Sequence, residues 1–204
     1  MRKRVLALFV IATLLGSGVA LAAKSKCKIG QDTVDDFTQE HVVMTEWEGL
    51  SHPVRPKGRE MTGFVLAASR DNDRYLLFNI EHLWSKNTLP TEDDMQNSMS
   101  VPEGAELLIA MVDGSVVTLH ASKATVGETT IEYRPKPHSG DSFFLMTKST
   151  SHYALDAATE QALTAQDAKA LRMKTESGDR DLRFYSKSFD EIGRVVKCVK
   201  GEMK

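Results

Sequence analysis

The chain has 204 residues, 26 basic and 28 acidic side chains, a net charge of −2, two cysteines and a hydrophobic content of 41%. That is enough apolar material to build a core without help from metals or many disulfides. A nucleic-acid partner would need a concentrated positive face, because phosphate contacts dominate such affinity. The basic cluster Arg55, Lys57 and Arg59 is instead spread among prolines and a glycine, and reads as a solvated loop.

The first element is an export address. Arg2, Lys3 and Arg4 precede an almost unbroken apolar run from Val5 to Leu15, Gly16 to Gly18 break it, and Ala20-Leu21-Ala22 offers the small-x-small pattern of a signal-peptidase site. The run is too short to span a bilayer as a helix. The reading is a cleaved signal peptide over residues 1–22 and a mature chain from Ala23, periplasmic or secreted, with no transmembrane anchor. Lys24 stands where a lipoprotein would carry its acylated cysteine. Losing three basic residues and no acidic one takes the net charge from −2 to −5.

In an oxidising compartment two cysteines pair more often than they stay free. A Cys27–Cys198 disulfide would staple the two ends of the mature chain. Closing a loop of about 170 residues, it is worth on the order of 4–5 kcal/mol in the chain-entropy picture.

Lys24 to Asp36 is polar and reads as surface chain. From His41 to Leu50 the residues alternate, with Val43, Thr45 and Trp47 on one face of a strand and Trp47 expected in the core. Ser51 to Glu60 is a loop. Met61–Ser69 and Arg74–Leu83 form a hairpin across Arg70-Asp71-Asn72-Asp73, because Asp and Asn suit turns. Trp84 to Gly104 has no steady period, two prolines and an acidic trio (Glu92, Asp93, Asp94), and reads as a long loop with room for a short helix over Thr91 to Asn97. Leu107–Val112 and Val116–Leu119 flank Asp113-Gly114, a hairpin apolar on both faces and so expected at a sheet centre. Thr129–Tyr133 and Ser142–Thr147 are further strands.

After Tyr153 the period changes. Asp156 is expected to cap a helix running to about Asp167, with Ala162 and Leu163 turned inward. Ala170–Thr175 and Asp181–Tyr185 form a hairpin around Ser177-Gly178. Ser188-Phe189-Asp190-Glu191 fits a capping box, followed by Phe189, Ile192, Val195, Val196 and Val199 at helical spacing and a stop at Gly201. The fold class is α+β: predominantly antiparallel sheet, about eight to nine strands, with two helices near the C-terminus. Residues 23–204 are expected to form a single domain, a subdivision near residue 150 being the alternative.

Chemistry leaves little trace. Gly140-Asp141-Ser142 holds the triplet that carries a nucleophile in some hydrolases, but a serine needs a histidine base. No histidine follows His152, and a turn entering a strand accounts for the triplet directly. His41, His52, His82, His120, His138 and His152 show no metal-ligand spacing, and Asp71-Asn72-Asp73 and Glu92-Asp93-Asp94 lack the alternation of a calcium loop. No metal and no cofactor are expected.

Two function classes follow. The first is a non-enzymatic binding protein for a protein or envelope component, possible roles including an inhibitor or immunity protein, with Trp84, Glu92, Asp93 and Asp94 as the partner-contact residues. The alternative is an envelope-acting hydrolase using Ser142 with His138 or His152, or Asp93 with Glu103.

Overall fold

The computed structural model describes residues 28–51, 59–92, 99–136 and 140–201. The signal segment, Cys27, the loop over 52–58, Asp93 to Ser98 and His138 lie outside them. The described residues form eleven strands in two antiparallel sheets and two α-helices.

The larger sheet is built on a long hairpin. β4 (Arg59–Arg70) and β5 (Asp73–Lys86) pair along their whole length, from Arg70↔Asp73 to Arg59↔Trp84, with Asp71 at φ +52° in the turn. This is the left-handed conformation that aspartate tolerates and that the sequence signalled. β9 (Gly140–Leu155) pairs with the other edge of β5, and β8 (Glu128–Lys136) pairs with β9. On the opposite side lie β2 (His41–Thr45) and β1 (Ile29–Val34), with the two-residue β3 (Glu48–Gly49) also on β4.

The smaller sheet runs β11 (Gly178–Arg183), β10 (Ala168–Thr175), β6 (Glu106–Met111), β7 (Val116–His120). Alternation explains how the sheets stack. Leu76, Phe78 and Ile80 of β5 and Val65 and Ala67 of β4 are buried, as are Leu107, Ile109 and Met111 of β6 and Leu171 and Met173 of β10. All belong to one hydrophobic core. Tyr153 of β9 is fully buried within it and meets Phe78 edge to face, ring centroids 5.8 Å apart.

The sheets pack tightly at Gly63 of β4. A β-carbon there would lie 2.2 Å from Leu182 Cδ2 of β11 and 3.1 Å from Ile80 Cδ1. A larger residue there would force the Leu182 side chain to shift. The two helices meet by the same device, a β-carbon on Gly193 falling 2.8 Å from the Leu163 carbonyl oxygen.

Helix α1 (Ala157–Ala165) begins as expected: Asp156 Oδ1 accepts from Thr159 N at 2.7 Å. This bond to backbone N–H holds the Asp156 carboxyl below its ordinary range. Leu163 is buried, but Ala162 is exposed, a correction. The buried stripe runs through Leu163 and Glu160 instead, because Arg74 Nη1 of β5 reaches both Glu160 oxygens at 2.8 and 2.9 Å. Helix α2 (Glu191–Val199) buries Ile192, Val195 and Val196, and Gly201 closes it with its N–H on the Cys198 carbonyl. The capping box at Ser188 does not form. Ser188 ends a single 3-10 turn, Asp190 is the N-cap residue without a side-chain cap bond, and Glu191 binds Arg194 instead.

Arg194 is itself buried and reaches Glu48 of β3 at 3.1 Å, and Lys28 Nζ lies 4.0 Å from the same carboxylate. Glu48 thus bridges Lys28, at the start of the described chain, to Arg194 of α2, one turn from Cys198.

Other expectations need correction. The polar chain after Lys24 is at the surface as expected, but it contains a strand: β1 is exposed along its length at the sheet edge and is recruited by pairing with β2 rather than by apolar residues. Trp47 is 41% exposed, not core. The alternation breaks where β2 ends at Thr45 and Glu46 turns its N–H to the Lys28 carbonyl. The β6–β7 hairpin is not at a sheet centre, for β7 is an edge strand, and only one face of β6 is buried. Its other face carries Leu108 and Ala110 half-covered, a common occurrence on solvent faces. The long irregular stretch shrinks from both ends. Trp84 to Lys86 stay in β5, whereas Met99, Ser100 and Val101 are buried, with Val101 and Thr125 exchanging backbone bonds at 2.8 Å. Of the short helix expected there, Glu92 is the one helical residue described.

Gly63→Val should destabilise the protein by about 1–3 kcal/mol through overpacking against Leu182, read as a lower midpoint in urea. Arg74→Ala, which strands the buried Glu160 carboxylate near Lys200 alone, should cost about 3 kcal/mol, less whatever solvent already screens at the part-exposed arginine.

Candidate functional site

The pinch at Gly63 has a structural consequence two residues away. Residues i and i+2 of a strand share a face. Met61 therefore follows Gly63 on the inner face of β4, paired with His82, and Trp84 follows His82 on β5. Arg180 precedes Leu182 on the inner face of β11. Past the Gly63–Leu182 contact the sheets part, and a cleft of about 540 Å³ opens between Met61, His82 and Trp84 on one wall and Ser177, Asp179, Arg180 and Asp181 on the other. Gly63, Ile80 and Leu182 lie just inside it.

The charged wall is the tip of the β10–β11 hairpin. Arg172 grips Asp181 with two bonds, Nε to Oδ1 at 2.6 Å and Nη2 to Oδ2 at 2.7 Å, and stands 3.8 Å from Asp179. The guanidinium holds the Asp181 carboxyl below the ordinary aspartate range. Lys174 pairs with Glu106 at 2.7 Å. Arg180 differs from its neighbours. Nη2 donates to Ser177 Oγ at 3.0 Å and Nη1 to the Asp179 carbonyl at 3.3 Å, while Nε is buried without a hydrogen-bond partner. Among the described residues no carboxylate pairs with it.

Two further hollows are shallower. One of about 420 Å³ lies on the outer face of the larger sheet, between Val42, Met44, Tyr75, Leu77, Lys123 and His152. Burial, and then the Lys123 charge, pushes the His152 imidazole below its usual range, so it is neutral near pH 7. The other, on the outer face of the smaller sheet, is floored by Leu108 and Ala110 and bordered by the Arg172–Asp181 pair.

Of the contact residues expected from sequence, Trp84 lines the cleft, Glu92 is exposed at the edge of the described chain, and Asp93 and Asp94 lie outside it. The cleft adds Met61, His82, Ser177 and Arg180, which sequence reasoning did not single out. A signal was available for Arg180: it shares the inward face of β11 with Leu182, where a lone charge is unusual. Of the hydrolase residues, His138 and Asp93 lie outside the described residues, and Ser142 and His152 do not meet. Ser142 is buried at the start of β9, and His152 lies ten residues along the same strand, about 33 Å away at the usual rise. Glu103 is exposed, and among the described residues no three His, Cys, Asp or Glu side chains cluster as a metal site. No described helix is long and apolar enough to cross a membrane.

Comparison with protein-family models, curated proteins and solved structures yields no match.

The depressed His152 makes a prediction. The unfolded chain takes up a proton there near pH 6.5 and the folded one only at lower pH, so this group's contribution to stability falls as pH drops through that window. NMR titration should place His152 below the ordinary histidine value, and Lys123→Gln should move it back part of the way.

Proposed function

We propose that the protein is an exported, non-enzymatic binding protein that engages a protein or envelope component at the cleft around Trp84. The observation that carries this reading is the cleft itself. It pairs an apolar and aromatic wall (Met61, Trp84) with a polar one containing an arginine that has no carboxylate partner among the described residues. Concave sites that are largely apolar with a few convergent polar groups are where ligands bind. Tryptophan and arginine are also the side chains that most often dominate an interface. An inhibitor or immunity role falls within the same class.

Export rests on the N-terminal pattern, which calls for removal of residues 1–22 and a periplasmic or secreted mature chain. The Cys27–Cys198 disulfide belongs to the same reading. Cys198 is nearly buried on α2, and Lys28, the neighbour of Cys27, is drawn toward that helix through Glu48 and Arg194.

Two outcomes are expected. In protein isolated from its own envelope, a non-reducing digest should yield one peptide pair joined through Cys27 and Cys198; two free thiols would contradict it. The mature chain, residues 23–204, should retain an envelope component that Trp84→Ala loses while keeping its thermal midpoint. Equal retention by both proteins would remove the cleft from the account.

A further inference from the structure

Resting on the binding reading above, we infer that the cleft takes a ligand bearing an oxyanion, a carboxylate or phosphate group, seated on the Arg180 guanidinium with an apolar or aromatic body against Trp84 and Met61.

The neighbouring arginine shows what such a group does. On the paired strand β10, Arg172 uses Nε and Nη2 together to grip both oxygens of Asp181, the parallel fork that matches guanidinium to carboxylate or phosphate. On Arg180 the same edge is only part used. Ser177 Oγ takes one Nη2 donor, and buried Nε has no acceptor. A buried N–H left unpaired is costly, and a charged donor more so than a neutral one. An oxyanion entering the cleft would supply an acceptor to a part-exposed guanidinium that Ser177 and the Asp179 carbonyl hold in place.

The two aspartates on the same wall do not oppose this. Asp181 is neutralised by its two bonds to Arg172, and Asp179 lies 3.8 Å from the same guanidinium. Arg172 alone offsets one of the two carboxylates, and the charges of Lys174 on Asp179 and of Arg183 on Asp181 help to offset the other, while Arg180 has no carboxylate partner among the described residues. The opposite wall fixes the rest of the ligand. Trp84 presents an indole and Met61 a polarisable thioether, surfaces that suit a flat or apolar body.

The test uses mature protein carrying Trp47→Phe, so that Trp84 is the sole fluorophore of its kind. It is titrated with phenylacetate, phenyl phosphate and uncharged phenylacetamide, which share a ring and differ in the head group. At least one anion should shift Trp84 emission saturably and bind about ten- to a hundredfold more tightly than the amide, as a hydrogen bond between charged groups implies. The stronger anion identifies carboxylate or phosphate as the preferred head. Arg180→Gln should erase the difference between anion and amide, and Arg180→Lys should restore part of it without the fork. Equal binding of anions and amide, an undiminished preference in Arg180→Gln, or no response to any probe overturns the inference. If Arg180→Gln unfolds, the anion–amide comparison in the parent and Arg180→Lys decides. Overturning it while envelope capture still depends on Trp84 leaves the binding reading in place; loss of that dependence removes the reading itself.

Discussion

The two sheets interlock at Leu182 of β11, which is set into the space where Gly63 of β4 has no side chain. A residue with a β-carbon at position 63 would have to displace the leucine or push the sheets apart. Because the sheets are pinned there, the core behind the contact closes around Phe78, Ile109, Met173 and Tyr153. In front of it, the same strands continue past the pin and diverge. The cleft follows from strand length: β4, β5 and β9 have 12, 14 and 16 residues, whereas the smaller sheet's strands have 5 to 8. The long hairpin overhangs, and its inward residues Met61, His82 and Trp84 face the hairpin tip that holds Arg180.

Charge is placed with similar economy. Glu160 ties α1 to β5 through Arg74, and Arg194 ties α2 to β3 through Glu48. Each is a buried ionic group with an identified partner, and such pairs fix geometry more reliably than they add stability. The half-buried Glu191 carries the cost, its carboxyl raised by burial despite Arg194 beside it. Arg180, by contrast, has no carboxylate partner among the described residues, and it lines the cleft.

The sequence made the secondary structure readable where periodicity and turn chemistry agreed. The β4–β5 hairpin, the β10–β11 hairpin, the Asp156 cap and the apolar stripe of α2 all appear close to their expected places. Misreadings came where a neighbour in space decided the outcome. β1 is a strand because β2 offers it an edge, Glu160 turns inward because Arg74 waits there, and Glu191 deserts the helix cap for Arg194. Trp84, singled out in the sequence, lines the cleft, whereas Trp47 was misplaced because β2 ends two residues earlier than the alternation suggests. The cleft was not legible at all. It exists only once residues from about 60, 80 and 180 are brought together by the packing of two sheets, and no local pattern encodes that meeting.

The central claim is that the mouth beyond the Gly63–Leu182 contact is where the protein meets its ligand. The most direct measurement is the 1H–15N spectrum of the mature chain, whose two indole N–H signals report Trp84 in the cleft and exposed Trp47 outside it. Adding a fractionated extract of the native envelope should move the Trp84 signal in at least one fraction while Trp47 stays in place. Perturbation confined to Trp47, or a Trp84 signal unmoved by every fraction that binds the protein, would contradict the account.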